Sequence, residues 1–470
     1  MFSVIAQIDR SSAEPIRSQI AEAFSLAIAS GALAASSRLP SIRSLSARLG
    51  VSPATAAAAY DDLVARRLVV SRARSGFAVA GRRGADPSRT DSGEVQLSMN
   101  RIEPNLRLHP AAEFARVLAL TAEDDPGAGG YEDYRGSIAL RRALAELDRD
   151  DGIDSEPGSG MLVTAGAQQA ISLLARTAGA GARVAIEDPT YPGARLAFRS
   201  AGAELVPIAS DGDGPDPDDL DAACEGGRLD LFYCVPTYGN PGGRSWSPAA
   251  RERVLRASAR EGFTVVEDDY LGDLDYLGER LPRLAALAPS IPGSRVIRVR
   301  TFSKCLLPAL RIAEVTADAR TIETLLVMKS ADDICGSALM QRSLACFLRE
   351  GRYAAHLERV RPHYASVRKS LREALANSKS GLRFDDPPAG LCLLGSLEPG
   401  LDVASFVSGC GAEGILISSG PDFWNDRNDG AARFRIGFGN LEPGDVGRAV
   451  GGMERAAARA RNGFFERSLL

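Results

Sequence analysis

The chain has 470 residues, 45% of them hydrophobic and 25% charged, and a formal net charge of −4. That length asks for two or more domains, and the balance is that of a globular protein without fibrous or disordered bias. Seven scattered cysteines with no CxxC pair speak against a disulfide framework or a zinc site, and three histidines leave little for histidine-based catalysis. No run is apolar enough to span a bilayer. The start, MFSVIAQIDR, lacks a basic leader followed by an apolar stretch, so a cytoplasmic protein with no membrane partner is expected. The charge is unevenly spread. Residues 1–85 hold eleven Arg against five Asp or Glu, about +6, which leaves about −10 for the rest. A small basic module joined to a large acidic one favours a nucleic-acid partner for the first segment alone.

A first helix is expected over Ile16–Ala29. In SRLPSIRSLSARLGVSPATAAAAYDDLVARRLVVSRARSGFAVAG, Ser41 is placed to cap a helix whose Ile42, Leu45 and Leu49 follow a helical period. Gly50 ends it and Val51 packs in the turn. Ser52 caps a second helix, Ala54–Arg67, with Pro53 at its first position, where a missing N–H costs nothing. Tyr60 and Leu63 face inward, and the alanine run keeps the outward N-terminal face slim enough to enter a groove. Two strands follow around a turn at Ser75-Gly76, with Arg72 and Arg74 at the tip.

This is the pattern of a winged helix-turn-helix, and RLPSIRSLSARLGVSPAT closely resembles the signature of the GntR family of bacterial repressors. The resemblance implies that Arg38, Arg43 and Thr55 contact phosphates or base edges of double-stranded DNA, and that Arg72, Arg74 and Gly76 form the wing. Pro53 stands where many relatives have arginine, so one expected contact is absent. One such domain reads a half-site, so a dimer on an operator with repeated half-sites is expected. Residues 81–95, GRRGADPSRTDSGEV, are polar and rich in turn formers. They read as a linker between a domain over residues 1–80 and another over 96–470.

From about residue 105, helical patterns alternate with the short apolar stretches MLVTAG, RVAIEDP, LFYCVP, FTVVEDD and RVIRVRTFSK. That alternation indicates an α/β domain with a mostly parallel sheet and a ligand at the strands' carboxyl ends. In MLVTAGAQQAISLLA the N–H groups of Gly166, Ala167 and Gln168 open a helix and suit an anion such as phosphate. EDPTYPG sets Tyr191 at a strand end, where its ring can stack. VPTYGNPGG sets Asn240 in a turn, either as a plain turn former or as a donor to a ligand oxygen. FTVVEDDY puts Asp268 just past a buried strand. It is there as a cap or turn residue, or it pairs with a cation that offsets its burial. Tyr270 follows two residues on.

TFSKCLLPALRI supplies Thr301, Ser303 and Arg311, the makings of a phosphate cup. Between them stands Lys304, the first lysine of the chain, with only Lys329, Lys369 and Lys379 after it. Either a coding bias toward arginine spared a few lysines by chance, or this position needs an amine that can lose its proton and form a Schiff base, which arginine cannot; the neighbours decide. A lysine beside a phosphate cup, a carboxylate for a ring nitrogen and an aromatic to stack together describe a pyridoxal 5′-phosphate (PLP) site.

In their order, GYEDYRGSIALRRALA, TAGAQQA, EDPTY, YGNPGG, VEDDY, SKCLLPALR, FLREGRYAAHLERVRPHY and FRIGF resemble the fold-type-I aminotransferases from about residue 96 to the end. With the winged helix in front, the whole chain resembles the MocR subgroup of GntR regulators. The implied fold is an α/β/α large domain with a smaller C-terminal α+β subdomain. The implied roles put Lys304 in a Schiff base with PLP, Asp268 on the pyridine nitrogen, Tyr270 and Asn240 on the ring oxygen, and Tyr191 on the ring face. Gly166, Ala167, Gln168, Thr301, Ser303 and Arg311 would hold the phosphate, with Tyr131 reaching in from a second subunit. Arg435 would grip an amino acid's α-carboxylate; a strand arginine in a surface ion pair gives the same pattern. Ala309 and Ala313 stand where relatives usually have glycine, and Cys392 where they have histidine. The implied function is a transcriptional regulator, a head-to-tail homodimer, that senses PLP or an amine or amino acid at Lys304. The alternatives are a working aminotransferase with an accessory DNA-binding module, and a DNA-binding protein whose large domain only dimerises.

Overall fold

The computed structural model describes residues 15–29, 37, 39–65, 69–72, 76–79, 96–210, 213–278, 281–378, 381–387, 389–426 and 429–468. The chain divides into two compact units, Met1–Gly93 and Glu94–Leu470. The expected linker, 81–95, lies outside the described residues.

The first unit has helices Ile16–Ala29, Ile42–Leu49 and Pro53–Ala65, followed by the antiparallel strands Val69–Arg72 and Gly76–Val79. Its turns have local causes. Ser41 Oγ accepts from the Ser44 N–H at 3.1 Å, and Ser52 Oγ from the Thr55 N–H at 3.0 Å, each satisfying an amide that a helix start would otherwise strand. Gly50 closes the first of these two helices at φ 62°, a left-handed conformation that glycine adopts without a Cβ penalty. Tyr60 is fully buried, and its ring centroid lies 4.5 Å from that of Phe77 and 5.7 Å from that of Phe24. Its hydroxyl donates to the Pro40 carbonyl at 2.7 Å, so burying the ring leaves no polar atom stranded. One detail differs from the sequence reading, and one lies beyond test. Gly76 is the first rung of the second strand, paired with Arg72, and so belongs to the ladder and not to the turn. Arg66 and Arg67, assigned to the end of the second helix, lie outside the described residues.

The second unit is built on a seven-stranded sheet in the order Met161–Thr164, Ala313–Thr316, Val296–Thr301, Thr264–Asp269, Leu231–Cys234, Arg183–Asp188, Glu204–Ala209. Ala313–Thr316 runs antiparallel to both its neighbours, and the other pairings are parallel. Alternate residues of one strand enter different cores. Val184, Ile186, Tyr233 and Val266 join the larger one, while Ala185, Phe232, Cys234 and Val265 pack with Val254 and Leu255 of helix Pro248–Glu261 in the other. Both faces of the sheet are therefore covered, which is why these strands read as apolar runs and not as alternating patterns. Full burial of a Val, Leu, Ile or Phe side chain among them contributes about 1.5–3 kcal/mol.

A second, antiparallel sheet, in the order Arg383–Phe384, Cys392–Ser396, Arg433–Gly437, Ser418–Ser419, forms the C-terminal subdomain with helices Val403–Ala412 and Val446–Ser468. Ile415–Leu416 pairs in parallel with Leu97–Ser98. That pairing anchors the start of the second unit and sets the position of the residues immediately after it. No helix among the described residues is long and apolar enough to cross a membrane, and no cluster among them is suited to hold a metal ion.

Candidate functional site

Five of the strand ends named in the sequence converge on a cavity of about 350 Å³. At one end, no side chain caps the start of helix Ala167–Ala178, so its first amides point at whatever binds there. Thr301 Oγ1 and Ser303 Oγ lie 3.1 Å apart beside it. Arg311 completes the cup from an unusual backbone, φ 50°, in the left-handed region that costs a residue with a side chain about 1–2 kcal/mol. Its Nη2 donates to the Ala165 carbonyl at 3.1 Å. Gly166, at φ 88°, leaves room for it: a Cβ there would lie 2.5 Å from that same nitrogen. Glycine and arginine fit each other as a cradle for an anion.

Asp268 lies within strand Thr264–Asp269 as its next-to-last residue, not past the strand's end. It is 4% exposed. Its Oδ2 accepts from the Tyr233 hydroxyl at 2.6 Å, whereas Oδ1 is buried with no partner among the described residues. Burial pushes the carboxyl up to about 7, the Tyr233 hydrogen bond opposes that, and the neighbouring Asp269 adds to it. A buried carboxylate with an open oxygen is a strong acceptor for a cationic N–H. Lys304 lines the same cavity. Burial lowers its amine below the usual lysine value; Glu103 pulls the other way, and Arg435, Arg311 and Arg101 add to the lowering.

Arg435 lies on strand Arg433–Gly437 and is 6% exposed. Its Nη1 donates to Asn240 Oδ1 at 2.8 Å, and its Nη2 to the Asn100 carbonyl at 2.6 Å and to Ser418 Oγ at 3.1 Å. The guanidinium sits 4.7 Å from the centroid of Phe423. It has no carboxylate partner among the described residues, and Nε has no partner at all there, so the surface ion-pair reading falls. Burial lowers its pKa, but a guanidinium starts so high that it stays charged. Tyr191 borders the cavity, its hydroxyl donating to Gln168 Oε1 at 3.0 Å. Tyr270 donates to the Tyr238 carbonyl at 2.7 Å, which leaves its oxygen's lone pairs for a ligand.

The structure thus brings Ala167, Gln168, Tyr191, Asn240, Asp268, Tyr270, Thr301, Ser303, Lys304, Arg311 and Arg435 to one cavity, with Gly166 beneath Arg311. Tyr131 is not among them: it is 86% exposed on its own chain. Sequence reading missed Asn100, Arg101, Ile102, Glu103 and Val235, which also line the cavity, and the two supports Tyr233 and Phe423. In the first unit Arg43 is exposed, and Thr55 Oγ1 lies 2.8 Å from Ser52 Oγ at a helix start. Arg38, Arg74 and the Arg72 side chain lie outside the described residues.

An open buried carboxylate, a cup for an anion and a buried arginine around one amine fit the donor and charge pattern of PLP. The comparisons agree with that chemistry. Residues 96–452 match the family model for class I and II aminotransferases, and residues 16–79 match that of the bacterial regulatory proteins of the gntR family. The chain is 28% identical to the HTH-type transcriptional regulator TauR of Rhodobacter capsulatus, over 91% of this chain and 94% of TauR. It is 29% identical to the probable rhizopine catabolism regulatory protein MocR of Rhizobium meliloti, over 96% and 95%. Among solved structures it is similar to LysN, the α-aminoadipate aminotransferase of Thermus thermophilus, with a TM-score of 0.73 and 28% identity over 78% of this chain and 93% of that one. The chain belongs to the class I and II aminotransferase family and, with its gntR-type domain in front, to the MocR group of GntR-family regulators.

Proposed function

We propose that this regulator binds PLP in the cavity around Lys304, takes an amine or amino acid as its effector there, and changes its hold on DNA in response. The observation that carries the reading is the pairing of Asp268, buried with an open Oδ1, and the depressed amine of Lys304 in one cavity. PLP, when bound, supplies an aldehyde that condenses with amines and a ring that withdraws electrons. Asp268 would hold the proton on the ring nitrogen. The helix amides from Gly166 to Gln168, with Thr301, Ser303 and Arg311, would hold the phosphate, Tyr270 and Asn240 the ring oxygen, and Tyr191 the ring face. Arg435 would bind an effector carboxylate with two prongs, releasing Asn240 as it does so. Lys304 is the amine the effector would displace.

The first unit would bind one operator half-site through Arg38, Arg43 and Thr55, with Arg72, Arg74 and Gly76 as the wing, in a domain over residues 1–80 joined by linker 81–95 to an effector domain over 96–470. Two half-sites call for a homodimer, for which we propose the head-to-tail form with Tyr131 entering the partner's site. Exposed Leu106, Leu120, Tyr131, Tyr134 and Ile138 support such a contact. The location would be cytoplasmic, where PLP, metabolites and DNA meet.

The test is DNA affinity of the PLP-loaded full chain while α-amino acids and primary amines are titrated. An effector is expected to change that affinity about 5- to 150-fold together with the visible absorption. No change with PLP or any amine would overturn the reading, and sustained turnover of an amino-acid and keto-acid pair would favour the aminotransferase instead. The cup has its own test. Gly166→Ala forces a Cβ onto the Arg311 guanidinium and strains a left-handed backbone, about 1–2 kcal/mol. It is expected to raise the PLP dissociation constant about tenfold, read by absorbance titration.

A further inference from the structure

The segment that opens the second unit is clamped by Arg435, the residue placed to hold an effector's carboxylate. Leu97–Ser98 pairs with Ile415–Leu416 over only two residues. The Leu97 N–H donates to the Gly414 carbonyl and the Met99 N–H to the Leu416 carbonyl, both at 2.8 Å. The Gly437 N–H donates to the Met99 carbonyl at 2.7 Å, which seats the segment on strand Arg433–Gly437, the one that carries Arg435. One residue further, two side chains grip the Asn100 carbonyl. It accepts from Arg435 Nη2 at 2.6 Å and from Ser418 Oγ at 2.8 Å, and Ser418 Oγ itself accepts from the same Nη2 at 3.1 Å. Asn100, Arg101, Ile102 and Glu103 then form part of the cavity wall. The clamp therefore joins the cavity to the stretch that follows the expected linker, 81–95.

A guanidinium has two faces on which a carboxylate can seat both oxygens, Nη1 with Nη2 and Nε with Nη2. Both include Nη2, the nitrogen that holds Asn100. A carboxylate is a stronger acceptor for a guanidinium than a neutral carbonyl is, because it adds the attraction of opposite charges. Release does not strand the Asn100 carbonyl, which keeps the Ser418 hydroxyl as a donor.

We propose that the effector is an amine that also bears a carboxylate, and that this carboxylate signals by taking Arg435 from the Asn100 carbonyl and loosening residues 97–103. The inference rests on the PLP-and-effector reading of this cavity and narrows it. A simple amine reaches Lys304 but offers nothing to Arg435, so it fills the site and leaves the segment clamped. The segment suits the role because its own backbone pairing is so short, and elements held by few bonds open at little cost.

The test uses the full chain loaded with PLP, with its DNA. The common α-amino acids, β-alanine and γ-aminobutyrate are titrated, each beside the amine that lacks its carboxylate, up to saturation of the change in visible absorption. DNA affinity is measured in each case, and hydrogen exchange over residues 97–103 is followed by mass spectrometry. Expected with an active acid are a change in DNA affinity of about 5- to 150-fold and faster exchange over 97–103, and with its amine neither. An Arg435→Met variant, whose side chain cannot donate, is expected to exchange fast over 97–103 without ligand and to bind DNA as the acid-loaded wild type does. Circular dichroism checks that it folds. Amines as effective as their acids, or exchange over 97–103 that an active acid leaves unaltered, would overturn the inference and leave the PLP-sensor reading standing. So would a folded Arg435→Met chain that exchanges there no faster than the wild type. If neither acids nor amines alter DNA affinity, that reading falls and takes this inference with it.

Discussion

A Lys304→Ala chain mixed with PLP is expected to lack the visible band of the wild type and to bind DNA with an affinity that no amine alters. Lys304 is the only lysine among the residues that line the cavity, so no second amine stands ready to replace it. Its chemistry is prepared by its surroundings. Burial disfavours the ammonium form, and the guanidiniums of Arg435, Arg311 and Arg101 disfavour it further, with Glu103 in opposition. The neutral amine that attacks a carbonyl is therefore reached at a lower pH than in a free lysine. The same shift has a consequence for stability. A base whose folded pKa is lowered charges less readily in the folded chain than in the unfolded one. The resulting cost is present at neutral pH and fades as the pH rises through the folded value toward that of free lysine. Without cofactor, the alanine variant is thus expected to melt no lower than the wild type, while the function is lost. Absorbance, thermal melts and DNA titration of the two chains side by side check both halves. A visible band that survives in the variant would place the reactive amine elsewhere.

What the sequence made legible was local. Ser41, Gly50 and Ser52 mark helix ends by what their own atoms do to the next few residues, and the structure has each in that role. Lys304, Asp268 and Arg435 were legible for another reason: each sits in a short motif, and the order of the motifs along the chain carries the fold. What stayed hidden depends on residues far apart in sequence. Asn100 to Glu103 follow the strand Leu97–Ser98, and only its pairing with Ile415–Leu416 brings them to the cavity. Tyr233 reads as one more core aromatic in LFYCVP, and nothing local reveals that its hydroxyl supports Asp268 from 35 positions away. Phe423 beneath Arg435 is equally silent, since it comes from the loop before the strand that carries the arginine.

Arginines in strands were the least legible of all. In RVIRVRT an alternating reading puts Arg298 and Arg300 on an exposed face, yet they are 0% and 2% exposed. Their partners Asp148 and Asp151 come from the end of helix Ile138–Asp150 and the residue after it, some 150 positions earlier. A strand can carry charge inward only where another element delivers the opposite charge to the same place. That condition is set by the tertiary fold alone, and the sheet's inner charges form a cluster that ties it to that helix.

Asp269 is the centre of that cluster, and Asp269→Ala is expected to be the most destabilising single change in it. Its carboxylate accepts from Arg283 Nε at 2.8 Å and from Arg298 Nε and Nη2 at 3.0 and 2.8 Å, all three residues being buried. Removing one partner of a buried ion pair costs about 3–5 kcal/mol when it leaves the other charge uncompensated; here two guanidiniums lose their shared acceptor at once, Arg298 keeping Asp148 at 2.7 Å and Arg283 only Asp273 at 3.7 Å. The exposed pair Arg260–Asp221 sets the contrast, because breaking such a pair costs about 0–1 kcal/mol. The pH dependence has a definite sign. Burial alone would raise the Asp269 carboxyl, but Arg283, Arg298 and Arg300 outweigh it and hold the group below the usual carboxylate range. A carboxyl depressed in the folded chain stabilises it above the unfolded pKa, and that contribution is lost as the pH falls through the folded value. The wild type is therefore expected to lose stability on acidification more steeply than Asp269→Ala, the two unfolding curves approaching each other at low pH. Denaturant unfolding of wild type, Asp269→Ala and Asp221→Ala across pH separates these effects. Equal losses for the two variants at neutral pH would show that the cluster does not hold the sheet together. A large loss for Asp269→Ala alone would mean that the strand carrying Asp268 is fixed by Asp269, so that the residue with the open oxygen at the cavity around Lys304 owes its position to the neighbouring charge cluster.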